Sequence, residues 1–339
     1  MNQRTVIGLD IGRSAVKAVA YAEGKKYPLS FASAVSLAIP ITLEQAAVAA
    51  ELETVTVNGK DYFTGETARL QGGATMSAGL SDDWIRGDEY KALVMSAMKR
   101  LGVLCVPGLA DPYVVVGTPA ALFAHQREEL EKVTQSIVKG EVKALSQPLG
   151  AYLSFLLDAD GLPLKDNIRS ANGRTKSWAV IDVGHFTTDF LLMRENTYIE
   201  SKAASCEGMN VATDHLMKTL TGKGYKVSLL DCEQALQTRT IFHFGEKDIS
   251  AEVEAALSHV AARITAKATA LLASDAASLD GILLAGGGAM IMKDRLHADW
   301  QNVKMVERPR MAVAEGYCRY GKSVQLKRSM AESKEPAHV

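Results

Sequence analysis

Short apolar runs separated by polar or glycine-rich breaks recur along the chain, and their spacing predicts alternating strands and helices. Residues 5–22 read as a hairpin of two apolar strands, and residues 30–39 as a further strand ending at Pro40. Thr54 to Phe63 alternates about Asn58-Gly59, a hairpin signal, and a short helix follows through Gly65, Glu66 and Ala68. Gly72-Gly73 and Ser77–Gly79 mark a small-residue loop, read either as a surface connection or as a subunit contact or flap. Residues 88–101 have helical spacing, with Tyr90, Leu93, Val94, Met98 and Leu101 on one face. Tyr113 to Pro119 is a β-branched central strand, residues 120–133 a charged-faced helix, and residues 137–145 another strand. Pro148 suits the first turn of the next helix, which puts Gln147 at a strand-to-helix junction.

Residues 158–176 are polar, with Asp-Gly, Pro163 and Asn172-Gly173, and read as a loop or domain boundary. Residues 177–204 give three strand-like runs. Glu207-Gly208-Met209 opens a helix to about Leu220, and residues 229–239 and 250–274 are helical, the latter alanine-rich. Asp280 to Ala289 is strand, glycine turn, helix, and Pro309 to Tyr317 is a terminal helix. The charged tail from Lys322 is expected to be disordered.

Composition narrows the class. A chain of 339 residues with a formal net charge of -1 is long enough for two domains. No apolar run is long enough to span a bilayer, and Met1-Asn2-Gln3-Arg4 leads directly into a strand, so no signal peptide and no membrane partner is expected. Cys105, Cys206, Cys232 and Cys318 lack metal-ligand spacing and read as reduced, mostly buried thiols of a cytoplasmic protein. No basic block suggests direct nucleic-acid binding.

Two stretches carry candidate chemistry: Gly8 to Lys17, with Asp10-Ile11-Gly12, and Val180 to Asp189, with Asp182-Val183-Gly184. Each is an apolar strand, an Asp-x-Gly turn with small or hydroxylated residues, and a second strand. Such a tip aims backbone N–H groups at an anion, and Gly12 and Gly184 let it approach. Ser14, Thr187 and Thr188 add hydroxyls and Lys17 a charge. Asp10 and Asp182 suit hydrated Mg²⁺, which takes few carboxylates. Asp-x-Gly after an apolar strand also occurs as an ordinary turn; the two copies together favour a nucleotide triphosphate site. Gln147 either points its side chain into a cleft or is a solvated cap. Gly286, Gly287 and Gly288 either give a nucleotide bare backbone to lie on or serve an ordinary strand-to-helix turn.

These stretches, with Val142–Ala151, Leu283–Gly288 and Ala312–Gly316 in the same order, resemble the actin-like ATPase superfamily, which includes actin, sugar kinases and bacterial actins. Val55 to Ala68 is similar to the plasmid-segregation actins of the ParM/StbA family. The resemblance implies an α/β, actin-like (ribonuclease H-like) fold: two related domains with mixed five-stranded sheets around a nucleotide cleft. It implies domain I over 1–176 with a small subdomain at about 25–80, domain II over 177–310, a returning helix over 311–327, and a disordered tail over 328–339.

By that resemblance Asp10 and Asp182 would hold Mg²⁺ through water. Gly12, Arg13, Ser14, Lys17, Gly184, Thr187 and Thr188 would wrap the phosphates of ATP or GTP. Gly208, Glu233 and Gly286–Gly288 would border the nucleoside, and Gln147 would position the attacking water. Many bacterial relatives carry Glu where this chain has Gln147; a neutral amide orients water but is a weak base, which suits phosphoryl transfer. Arg13 replaces a small hydroxylated residue and either contacts phosphate or points to solvent. The implied function is an NTPase that polymerises head to tail into dynamic filaments and segregates plasmid DNA through a DNA-binding adaptor protein. The alternatives are a non-polymerising partner-binding protein on the same fold and, further off, a small-molecule kinase, for which no acceptor motif is found.

Overall fold

The structure is a computed structural model, and it describes residues 4–73, 82–105, 109–300 and 302–333. In chain order the elements are β1 (Val6–Ile11), β2 (Ala15–Ala22), β3 (Lys25–Ala32), β4 (Val35–Leu37), α1 (Glu44–Glu51), β5 (Thr54–Val57), β6 (Lys60–Thr64), α2 (Gly65–Gln71), α3 (Asp88–Leu104), β7 (Tyr113–Thr118), α4 (Ala120–Val138), β8 (Glu141–Ser146) and α5 (Gln147–Leu156). Then come α6 (Lys165–Ile168), β9 (Trp178–Val183), β10 (Thr187–Arg194), β11 (Thr197–Tyr198), β12 (Ala204–Glu207), α7 (Asn210–Gly222), α8 (Leu229–Thr238), β13 (Thr240–Phe242), β14 (Glu246–Asp248), α9 (Ser250–Leu272), β15 (Gly281–Ala285), α10 (Ala289–Asp299), β16 (Val303–Met305) and α11 (Ala312–Glu332).

These elements form two compact units. One takes the chain up to Thr118, Leu122–Leu164 and everything from Met311; the other takes Pro119–Ala121 and Lys165–Arg310. The first unit is built on a mixed five-stranded sheet of order β3-β2-β1-β7-β8. β1, β2 and β3 run antiparallel, while β7 and β8 join β1 in parallel. Every residue of β1 is buried, as expected of a strand covered on both faces. One cover is α11, which lies so close that a Cβ at Gly8 would run into Ala314 O. A smaller three-stranded sheet, β4-β6-β5, is held by Thr64 and Glu53, with Thr64 Oγ1 donating to Glu53 O at 3.0 Å.

The second unit repeats the plan. β9 and β10 are an antiparallel pair, and β15 and β16 extend β9 in parallel, in the order β11-β10-β9-β15-β16. Helices α7, α8, α9 and α10 supply Leu216, Leu220, Leu236, Val253, Ile264 and Met292 to the core over Ile181 and Phe190. Burying a side chain such as Phe190 stabilises the fold by about 1.5–3 kcal/mol.

Several sequence expectations need correction. The second sheet has six strands, because β12 also pairs with β10; Ala204–Glu207 is therefore strand, and the following helix begins at Asn210. β3 pairs with β2 along its whole length, so residues 25–32 belong to the main sheet and not to the small subdomain. Residues 165–176 pack with the second unit, not the first: Trp178 Nε1 donates to Asn167 O at 2.9 Å and Lys176 Nζ to Asp166 O at 2.7 Å. α4 continues to Val138, which delays the next strand to Glu141. The tail expected to be disordered from Lys322 is helical through Glu332. Arg328 forks onto both oxygens of Glu141 at 2.7 Å and lies over the Tyr113 ring. Residues 334–339, and Ser77–Gly79 of the small-residue loop, lie outside the described residues. The thiols are free, with Cys105, Cys232 and Cys318 buried and Cys206 half-buried.

Candidate functional site

In the first unit the β1–β2 register sets Asp10 directly opposite Lys17. Lys17 Nζ lies 2.9 Å from Asp10 Oδ2. Gln147, the first residue of α5, donates from Nε2 to the other oxygen, Oδ1, at 2.9 Å. The Gln147 side chain is thus turned onto Asp10 and is not a solvated cap. Asp10 is only 3% exposed, so these two donors, rather than bulk water, meet its oxygens. Two of the roughly four lone-pair directions of the carboxylate are used.

The turn itself is tied from the side. Ser33 Oγ donates to Gly12 O, and Ser33 N to Ser14 O at 3.0 Å. A Cβ at Gly12 would stand 2.8 Å from Ala15 O, so glycine is what lets the turn close. The Arg13 guanidinium lies over the Trp84 ring, 5.8 Å from the centroid. Ser14 is exposed at the tip.

In the second unit the same register position holds Asp182 opposite Asp189, again seven residues on. Both are buried, at 6% and 2% exposure. Asp189 accepts from Ala120 N at 2.7 Å and Ser205 Oγ at 2.6 Å on Oδ1, and from Thr187 Oγ1 at 2.8 Å on Oδ2. Where Lys17 neutralises Asp10, the facing partner of Asp182 is a second acid. Like charges opposite each other in a ladder are unfavourable, so the two acids set this position apart from the Asp10–Lys17 pair.

The hydroxyls expected to wrap phosphate fare differently. Thr187 spends its proton on Asp189, and Thr188 is wholly buried on the opposite face of β10 with no partner for Oγ1 among the described residues. Strand alternation explains the split, since neighbouring side chains leave opposite faces. Gly184 N closes the turn on Thr187 O at 2.9 Å, and a Cβ there would stand 2.6 Å from the same oxygen.

The carbonyls of this turn are held by the start of α7. Gly208 N donates to Phe186 O at 2.9 Å, Met209 N to Gly184 O at 3.1 Å and Asn210 N to His185 O at 2.7 Å. Helix-start N–H groups that lack internal partners are thereby satisfied. A Cβ at Gly208 would meet Gly184 O and His185 O at 2.6 Å, so this docking needs glycine. Glu233, from α8, reaches the turn through His185, with Oε1 3.0 Å from Nε2. His185 was missed from sequence because nothing in its own stretch marks it. Cys206 beside the turn stays a thiol: burial, then Glu207 and Asp189, push it up to about 11.

The three glycines after β15 separate into two roles. Gly286 has φ +91°, and its Cβ would run into Val183 O and stand 2.6 Å from Asp182 Oδ1. Gly288 N donates to Val183 O at 2.9 Å, and a Cβ there would meet Met209 Cγ at 2.8 Å. Gly287 is exposed and a Cβ would meet nothing within 4 Å. Packing demands the first and third; the bare backbone of the second faces open space.

Among the described residues no cluster of three or more His, Cys, Asp and Glu side chains could hold a metal, and no helix is long and apolar enough to cross a membrane. A metal at Asp10 or Asp182 would therefore keep most of its ligands as water, which is the habit of Mg²⁺.

Comparison with known proteins agrees with this architecture. Residues 8–150 match the family described as actin like proteins, N terminal domain, and residues 180–298 match archaeal actin homologue MreB-like, C-terminal. No curated protein matches the sequence. Among solved structures, a 15-stranded ParM filament from Clostridium botulinum is similar at 22% identity, with a TM-score of 0.75 over 95% of this chain and 99% of that one. The archaeal actin homolog Ta0583, in complex with ADP, is similar at 18% identity and a TM-score of 0.71, over 96% and 99%. A MamK double helical filament is similar at 19% identity and a TM-score of 0.68, over 93% and 98%. At these identities the structural likeness is one of fold. With the two family matches, on an actin-like pair of mixed sheets each carrying an Asp-x-Gly turn, the chain belongs to the actin-like superfamily.

Proposed function

We propose that this chain is an ATPase, accepting ATP or GTP, that assembles head to tail into dynamic filaments and segregates plasmid DNA through a DNA-binding adaptor. The observation that carries the ATPase reading is the Gln147–Asp10–Lys17 chain of contacts. It fixes a neutral amide beside a buried acid at the mouth of an Asp-x-Gly turn. Gln147 orients the attacking water with that amide, and Asp10 fixes the amide's direction. Lys17 balances the charge of Asp10 until phosphate oxygens compete for the ammonium. Asp10 and Asp182 are assigned to Mg²⁺, held through water. When bound, Mg²⁺ neutralises charge on the phosphates. Gly287 is the place where the nucleoside rests on backbone.

Support for nucleotide comes also from the ADP complex of the archaeal homolog, and support for self-assembly from the ParM and MamK filaments. A head-to-tail contact that does not close on itself gives a filament. The hairpin β13–β14 offers a surface suited to a protein contact, since Phe242 and Phe244 are 84% and 95% exposed. The plasmid and adaptor part of the proposal rests on the likeness of Val55 to Ala68 to plasmid-segregation actins.

The test is phosphate release by the full chain with Mg²⁺ and ATP or GTP. The unaltered chain is expected to release phosphate, and Asp182→Ala to abolish it. Near-normal turnover by the variant would contradict the metal assignment.

A further inference from the structure

Helices α7 and α9 pack side by side, and each presents one histidine to solvent at the same level. The rings of His215 and His259 stack with centroids 6.0 Å apart and planes 23° from parallel. Both residues are exposed. Among the described residues neither imidazole has a hydrogen-bond or ion-pair partner, so the ring nitrogens are open. The surroundings leave room. One turn from His259 stand Ala255, Ala262 and Arg263, the last paired with Glu207, and one turn from His215 stand Val211 and the exposed Lys218.

We propose that His215 and His259 form a two-histidine site for a divalent first-row transition ion of the Zn²⁺, Ni²⁺ or Cu²⁺ class. Imidazole is a preferred ligand of these ions. A tetrahedral ion with Zn–N bonds of about 2.0–2.1 Å sets two ring centroids roughly 5 Å apart. In the stacked arrangement the ring nitrogens' lone pairs lie in near-parallel planes, so binding turns the rings toward one ion as well as closing the centroids by about 1 Å, rotamer changes open to exposed side chains. Water fills the remaining positions, because no third protein ligand stands near among the described residues. The ion is therefore held less tightly than in a four-ligand structural site, and it exchanges. Its effect is to tie α7 to α9. α7 is the helix whose first N–H groups hold the carbonyls of the Asp182 turn. The site is separate from the Mg²⁺ assignment and does not depend on it.

The experiment is calorimetric titration of the untagged full chain with NiCl₂ and with ZnCl₂, with melting temperature as a second readout. One ion per chain is expected. His215→Ala and His259→Ala should each weaken binding about tenfold or more, as loss of a ligand costs at least what loss of its supporting contact does. Either change should also remove the upward shift in melting temperature produced by the ion. His125→Ala, an exposed lone histidine on α4, should change neither. Both target rings are exposed, so the variants fold, and circular dichroism verifies this. No saturable binding, binding indifferent to both substitutions, or single variants that keep half the ions would overturn the proposal. The last of these would mean two separate one-histidine contacts.

Discussion

Asp10 and Gln147 stand 137 residues apart in sequence and share one hydrogen bond of 2.9 Å, from Nε2 to Oδ1. The bond sets the direction of the amide before any ligand arrives. Gln147→Ala is expected to slow hydrolysis roughly hundredfold, the usual cost of one positioned polar group. Nucleotide affinity should hold, which mant-ATP fluorescence checks. Loss of nucleotide binding would instead make Gln147 a structural residue.

The two neighbouring glycines after β15 give a paired prediction. Gly286→Ala adds a Cβ at φ +91° against Val183 O and Asp182 Oδ1, and should destabilise the chain by about 2 kcal/mol or more. Gly287→Ala meets open space, and its stability should stay within about 0.5 kcal/mol of the unaltered chain. Yet it should weaken nucleotide binding if the nucleoside lies there. Urea denaturation and nucleotide titration of both variants separate these outcomes. Equal affinity in Gly287→Ala and the unaltered chain would remove Gly287 from the site.

Lys17 is the charge partner of a carboxylate that is 3% exposed. Lys17→Met leaves Asp10 with Gln147 alone. The expected loss is about 2–4 kcal/mol, toward the low side of the range for a broken buried pair because one donor remains. Urea denaturation at neutral pH measures it. A change under about 0.5 kcal/mol would show that Asp10 does not need the ammonium.

Glu53 supplies a pH dependence. Burial pushes its carboxyl up, but bonds from Thr67 and the Arg100 guanidinium outweigh burial and hold it below the ordinary glutamate range. Thr67 N donates to Oε2 at 2.6 Å and Arg100 Nη2 to Oε1 at 2.9 Å. A lowered folded-state pKa means that the stabilisation is fully present above the unfolded value, about 4.3, and is lost as pH falls through the folded value. Glu53→Gln should therefore melt lower than the unaltered chain at neutral pH, and the gap should narrow below about pH 4. A gap that stays constant to pH 3 would mean that the charge is not what Glu53 contributes.

Much of this was legible in sequence, for a physical reason. Val6–Leu9 and Trp178–Ile181 are strands buried on both faces, so they show as unbroken apolar runs, and the acid that ends each run stands out. The cross-strand partners were not assigned, although Asp10–Lys17 and Asp182–Asp189 share one spacing. Register depends on how many residues the turn consumes. Thr188 was misread for the same reason: its hydroxyl is one residue out of phase with the face carrying Thr187 and Asp189. His185–Glu233 and Arg13–Trp84 are contacts between elements far apart in sequence, which no local pattern encodes. The helical tail to Glu332 escaped because it is held by polar contacts to distant residues, Lys322 on Ala159 O and Arg328 on Glu141, which no local pattern encodes.

The proposed function stands on assembly driven by nucleotide. The most direct measurement is right-angle light scattering with pelleting of the purified full chain, in Mg²⁺ with ATP and with a non-hydrolysable analogue. Polymer that forms with both, persists with the analogue and decays once ATP is consumed is the predicted result. Intact nucleotide binding with no sedimentable polymer across a wide concentration range would contradict it, and would leave a monomeric partner-binding protein on the same fold.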